Sequence, residues 1–136
     1  MIEKSCGAVV YYEIPGKERR YLILKMQKGH VSLCKGHVEG EETEHETARR
    51  EIFEETGLEV SFCGDFRETI EYSPYPGAWK TVVFFLAQTP LANTRAQEAE
   101  VSEIFFLPLS EALEALTFES DRGVLRKAAA YLEEPF

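Results

Sequence analysis

The most constraining stretch of this chain is an acidic helix whose two ends and one functional-looking face are all written locally. Thr43 is a natural N-cap, and Glu46 three residues on completes a capping box, each side chain satisfying a backbone N–H of the other's end of the turn. Gly57 stands where a left-handed residue ends a helix, so the spacing predicts a helix over Glu44–Thr56. Within it Glu51, Glu54 and Glu55 fall at i, i+3 and i+4 and share one face, with Glu44 in the same sector. Glu46 and Glu54 each have Arg50 four residues away. Glu51 and Glu55 have only each other at that spacing, an arrangement that costs a few tenths of a kcal/mol. Ile52 lies further round and can anchor the helix to a core. An acidic helix face is ordinarily just solvated. Converging carboxylates, alternatively, supply hard oxygen ligands for magnesium or manganese.

The rest of the chain reads as strands around that helix. Cys6–Tyr12 and Tyr21–Met26 are apolar and rich in β-formers, and a glycine-bearing loop, 35–40, leads into the helix. Leu58–Phe62 and Arg67–Tyr72 read as two strand segments broken near Gly64-Asp65, and Thr81–Ala87 as a strong strand after a loop holding Pro74, Pro76 and Gly77. Ile104–Leu107 is a short strand. Ser110 is expected to cap a short helix ending at Leu116, and a last helix is expected over Asp121–Leu132. Strands interleaved with unevenly placed helices predict an α/β fold with a mixed sheet covered on both faces.

Bulk properties narrow the chemistry. The 136 residues suit one domain, 1–136, with 44% apolar and 29% charged residues. The longest apolar run, Val82–Ala87, is far too short to span a bilayer, and Met1-Ile2-Glu3-Lys4 opens no secretory signal, so we expect no membrane association and a cytoplasmic location. Cys6, Cys34 and Cys63 are odd in number and widely spaced, which argues for reduced thiols rather than a disulfide framework or a zinc site. A formal net charge of −9 repels phosphate backbones at long range and argues against long nucleic acid as a partner. A small polyphosphate remains compatible, because divalent ions on a compact acidic cluster would attract it. Monomer and homodimer are equally open.

The spacing of the whole segment decides between the two accounts of the helix. Gly36, five residues, Glu42, seven residues, then Arg50-Glu51-Ile52-Phe53-Glu54-Glu55-Thr56-Gly57-Leu58 resembles the Nudix box, G-x5-E-x7-R-E-U-x-E-E-x-G-U with U aliphatic. Every defined position over 36–58 is met. A chance match at all the fixed positions is about one in 10⁸ per starting point, or about one in 10⁵ allowing for the glutamate-rich composition. The order of strands fits the family over most of the chain.

The resemblance implies a Nudix fold, an α/β/α sandwich with a mixed sheet and the box as loop–helix–loop. It implies two or more Mg2+ or Mn2+ ions held by Glu51, Glu54 and Glu55, with the backbone brought close at Gly36. Arg50 would orient one of the carboxylates through its planar fork, and Glu42 would support rather than ligate. The reaction implied is attack of water on phosphorus in a nucleoside diphosphate linked to another moiety. The general base in the family comes either from the box, here Glu54 or a neighbour, or from a loop nearer the carboxyl end. In this chain that loop offers Glu98, Glu100 and Glu103, of which Glu100 matches best by its distance from Leu107-Pro108-Leu109.

Within the family, Lys35-Gly36-His37-Val38-Glu39 and Lys80-Thr81-Val82 are similar to the asymmetrically cleaving dinucleoside tetraphosphate hydrolases. That likeness implies substrate contacts from Lys35 and His37, a phosphate contact from Lys80, and base stacking by aromatic rings among Tyr72, Tyr75 and Trp79. The chain departs from the group at Cys34, where proline is usual, at Gly40-Glu41, where Pro-Gly is usual, and at Val31 in place of tryptophan. Two further readings of the box are a house-cleaning nucleoside triphosphate or nucleotide-sugar diphosphatase, and a non-catalytic module that senses a nucleotide. The second would be signalled by missing box glutamates, and none is missing.

Overall fold

The computed structural model describes residues 2–14, 16–90, 94–96 and 99–133. Its backbone is a mixed sheet built on two long central strands, β1 (Ile2–Tyr12) and β6 (Trp79–Gln88), which pair in parallel from Ile2 opposite Trp79 to Tyr11 opposite Gln88. All other pairings are antiparallel. β5 (Ser61–Tyr72) closes one edge against β6, and β2 (Arg20–Met26) joins β1 only at Tyr11–Tyr12 before running on to pair with β3 (Val31–Ser32) and β7 (Val101–Leu107). The first half of β1 pairs instead with β4 (Cys34–His37), from Ser5 opposite His37 to Ala8 opposite Cys34. β1 is thus shared between two partners along one edge, and the sheet forks there. The pocket described below lies at this fork.

Alternation along the central strands sorts side chains to two cores. Cys6, Ala8, Val10, Val83, Phe85 and Ala87 face α1 (Glu44–Thr56), which seals them with Ala48 and Ile52, both 0% exposed. Val9, Tyr11, Val82, Phe84 and Leu86 face the other way, under α2 (Leu109–Ala115) and α3 (Glu119–Glu133), which contribute Ala112, Val124, Leu125 and Ala128. Both faces of the central strands are buried, so these read as near-continuous apolar runs. The result is the expected α/β/α sandwich with a mixed sheet. Among the described residues the three cysteines are free thiols, two of them buried, and no helix is long and apolar enough to cross a membrane.

Helix α1 forms as its sequence specifies. Thr43 Oγ1 accepts from the Glu46 amide at 3.1 Å, Glu46 Oε1 accepts from the Thr43 amide at 2.8 Å, and Gly57 takes the left-handed conformation (φ 78°). Elsewhere the local reading is corrected. Residues 58–60 are not strand: the chain leaves the helix cap in an irregular stretch that buries Leu58 and Val60, and β5 begins at Ser61. β5 is continuous to Tyr72, with the break near Gly64-Asp65 present as a register shift between Phe62 and Arg67 rather than a gap. Ser110 lies inside α2. The N-cap is Pro108, whose side chain makes no capping hydrogen bond. The stretch read as a loop from Lys35 is strand through His37, because β1 supplies a partner that no local signal announces.

Candidate active site

The box is held together from Arg50. Its Nε donates to Glu42 Oε2 at 2.7 Å and its Nη2 to Glu42 Oε1 at 3.0 Å, a two-point fork that a lysine cannot reproduce. Nη1 reaches Glu51 Oε1 at 2.8 Å and both oxygens of Glu54 at 3.1 Å, and Nη2 also donates to the His37 carbonyl at 2.9 Å. Arg50 therefore binds two of the three acidic residues on the helix face and the end of β4 at once. Glu42 in turn accepts from the Glu39 amide at 2.9 Å and the Thr47 hydroxyl at 3.0 Å, which ties the loop to the first turn of the helix. The Arg50 guanidinium, first, and the Glu39 amide, second, hold the Glu42 carboxyl down at about 2. Its oxygens are committed to these donors.

β4 packs across the same helix face. A side chain at Gly36 would begin 1.9 Å from the Glu51 carboxyl carbon, so the strand admits Glu51 only because this residue has none. The backbone φ at Gly36 is not positive; the requirement is close approach alone. Two residues earlier, Cys34 Sγ donates to Glu55 Oε2 at 3.1 Å, with Cys34 0% and Glu55 2% exposed. Burial raises the Glu55 carboxyl to about 7, the thiol's hydrogen bond opposes that, and the like charges of Glu51 and Glu100 add to it. Burial also raises Glu51, against the pull of Arg50.

These groups line one pocket of about 530 Å3, walled by Gly36, Glu51, Glu54, Glu55 and Glu100 and by Lys35, His37, Arg50 and Lys80. The nine residues that the sequence points to besides the three aromatic rings and Glu42 all line this pocket. Lys80 is lowered by its partial burial, with the neighbouring Lys35 charge second, so two ammonium groups face the same space from β4 and β6. Glu103 is paired across from Lys25 on β7 and does not line the pocket, and Glu98 lies outside the described residues.

The three rings are separated. Tyr72 sits across from Lys80 in the β5–β6 pairing and shares its side of the sheet. Tyr75 O–H donates to Glu3 Oε2 at 3.1 Å, and Glu3 Oε1 is 3.2 Å from His37 Nε2. Trp79 precedes Lys80 on the same strand, so alternation turns it to the opposite face, and none of the three rings is among the residues that line the pocket. Sequence reasoning missed Glu3, which joins the aromatic loop to β4, and missed the Cys34 contact. Both depend on the β1–β4 and β4–α1 juxtapositions, for which the sequence carries no local signal.

The donor set suits a hard divalent cation: carboxylate oxygens of Glu51, Glu54, Glu55 and Glu100 around one space, with Glu55 buried and in no ion pair among the described residues. The oxygens are drawn to different partners, Glu51 and Glu54 to Arg50 and Glu55 to Cys34. Among the described residues no three acidic, histidine or cysteine side chains stand together as a closed cation cage.

The NUDIX domain family matches this chain over residues 7–128. The chain belongs to the Nudix family. It is 29% identical to the asymmetrical bis(5'-nucleosyl)-tetraphosphatase of Mus musculus, over 97% of each chain. It is 34% identical to an 8-oxo-(d)GTP phosphatase of Mycolicibacterium smegmatis over 71% of this chain, though that stretch is 29% of the longer protein. Among solved structures, a binary complex of the C. elegans Ap4A hydrolase superposes with a TM-score of 0.86, at 26% identity, covering 96% of this chain and 97% of that one. With the box intact, the protein is a Nudix pyrophosphohydrolase.

Proposed function

We propose that this Nudix enzyme uses Mg2+ or Mn2+ to hydrolyse the phosphoanhydride of a nucleoside diphosphate linked to another moiety, with dinucleoside tetraphosphates as the preferred class. The observation that carries the reading is one pocket with an acidic wall from α1 and the residue ahead of β7, Glu51, Glu54, Glu55 and Glu100, and with two lysines from other elements, Lys35 on β4 and Lys80 on β6. A substrate with a single pyrophosphate needs only the acidic wall. Two lysines lining the same pocket suit a longer run of phosphates. Full-length similarity to tetraphosphatases supports the same choice.

Divalent ions, when bound, neutralise phosphate oxygens and lower the pKa of a water. Glu51, Glu54 and Glu55 would hold them, with Gly36 opening the approach. Arg50 keeps Glu51 and Glu54 aimed into the pocket through its hydrogen bonds. Glu100 or a box glutamate, Glu54 foremost, accepts the proton of the attacking water as its oxygen bonds to phosphorus and the bridging oxygen leaves with the other product. Lys35, His37 and Lys80 bind the phosphates that are not attacked, and Tyr72 and Tyr75 stack on the base. Trp79, on the opposite face, is left out of this assignment.

The test is parallel hydrolysis of diadenosine tetraphosphate, deoxynucleoside triphosphates, ADP-ribose and 5′-triphosphorylated RNA with Mg2+. The tetraphosphate should have the highest kcat/KM, and Glu55→Gln should cost at least about 10²-fold in kcat. A triphosphate preferred by tenfold would select the house-cleaning alternative. Nucleotide binding without any turnover would select the sensor.

A further inference from the structure

We infer that Cys34 is a positioning residue for Glu55, seating that carboxylate on β4 so that it meets an incoming divalent ion already oriented. The inference rests on the proposed role of Glu55 in holding the metal. Its basis is a match between strand and helix. Cys34 and Gly36 are two apart on β4 and face α1 together; Glu51 and Glu55 are four apart on α1 and face β4 together. Two strand residues rise about 6.7 Å and four helical residues about 6 Å, so the pairs register one to one. Gly36 leaves room for Glu51, and Cys34 meets Glu55 with a hydrogen bond from Sγ to Oε2 at 3.1 Å.

The chemistry of the pair follows from its burial. Glu55 is 2% exposed, and its described hydrogen bonding consists of this thiol contact. A buried carboxylate without any donor would swing toward whatever polar group it could find, and each ion bound would have to draw it back. A thiol is a weak donor. It fixes one oxygen's direction while leaving the second, Oε1, for the pocket, and it competes poorly with a cation for electron density. Proline at this position would offer no donor at all, and alanine would leave the oxygen unpaired. Outer hydrogen-bond partners of ligating groups ordinarily change metal affinity by about 10- to 100-fold when removed.

Mn2+ binding to the full chain, followed by calorimetry and by the loss of the free-ion EPR signal, tests this without reference to turnover. Cys34→Ala should weaken Mn2+ binding about tenfold, and Cys34→Ser, which restores an O–H donor of similar size, should bind within about threefold of the unaltered protein. KM for substrate at saturating Mn2+ should be unmoved in both. Thermal unfolding of the metal-free variants identifies any protein that fails to fold, in which case the serine variant's affinity decides alone. Equal weakening in alanine and serine variants would mean that packing, not the hydrogen bond, sets the effect, and would overturn the inference. So would tight Mn2+ binding in Cys34→Ala while Glu55→Gln loses it. Undiminished binding in Glu55→Gln would instead overturn the metal-site reading, and this inference with it.

Discussion

Replacing Arg50 with lysine keeps the charge and removes the fork, so it measures what the fork contributes to the site's frame. The guanidinium serves Glu42 at two points, Glu51, Glu54 and the His37 carbonyl. A lysine ammonium, a compact charge at the end of a flexible stem of shorter reach, can serve one or two of these acceptors. Each charge-assisted bond is worth about 1.5–3 kcal/mol when desolvated. The Arg50 side chain is 23% exposed, however, and its hydrogen-bonded carboxylates range from 15% for Glu51 to 42% for Glu54, so screening removes a large part of that. Losing roughly three bonds and leaving Glu42, Glu51 and Glu54 to repel one another should cost about 3 kcal/mol net. A chain of 136 residues unfolds with an entropy of about 0.29 kcal/mol/K. The cost therefore corresponds to a fall in Tm of about 10 °C. Calorimetric unfolding in excess chelator at pH 7 and moderate salt is the assay. A fall under 3 °C would refute the reasoning, because it would mean that a point charge substitutes for the fork and that the hydrogen-bond geometry is incidental.

Three further outcomes follow from the same ion pairs and pocket. Glu44 is held at about 2, by Arg67 first and Lys4 second; its folded pKa lies below its ordinary 4.5, so its contribution is present above pH 4.5 and lost as pH falls toward 2. With the side chain 26% exposed and its partners more so, Glu44→Gln should lower stability by about 1 kcal/mol at pH 7 and by nothing near pH 2, read from urea unfolding at each pH; a difference that persists at low pH would contradict the ion pairs. Lys80→Ala should reduce kcat/KM for diadenosine tetraphosphate by about ten- to a hundred-fold and for a short diphosphate substrate much less. Equal losses on both, or none, would leave the lysine as an edge charge. Millimolar Mg2+ or Mn2+ should raise Tm by several degrees, since an ion at about 100 times its Kd adds roughly 2.7 kcal/mol to the native state; an unmoved melting curve would count against a formed site.

What was legible in the sequence was what is local. The capping box Thr43/Glu46, the stop at Gly57 and the i, i+3, i+4 glutamates each need only a few consecutive residues, and all appear in α1. The 35–37 stretch carried no such signal: lysine, glycine and histidine make a poor strand on propensity, and only pairing with Ser5–Gly7 of β1 makes them one. Leu58 and Val60 have strand-forming side chains, yet they are buried in an irregular segment, because burial and strand geometry draw on the same apolar residues. Ser110 has the right chemistry for a cap one residue too late, since Pro108 already fixes an extended backbone ahead of Leu109. The site divided in the same way. The helix carboxylates were found by spacing, and Glu100, Lys35 and Lys80 by resemblance to the family, whereas Glu3 and Cys34 act through contacts between residues 34 and 72 apart in one case and 21 in the other.

The most direct measurement is the product pattern from diadenosine tetraphosphate hydrolysed in 18O-enriched water with Mg2+, followed by mass spectrometry. Unequal products, AMP and ATP, with one solvent oxygen in one of them, are expected, and no product in excess chelator. Two molecules of ADP, or turnover that survives the chelator, would contradict the proposed reaction.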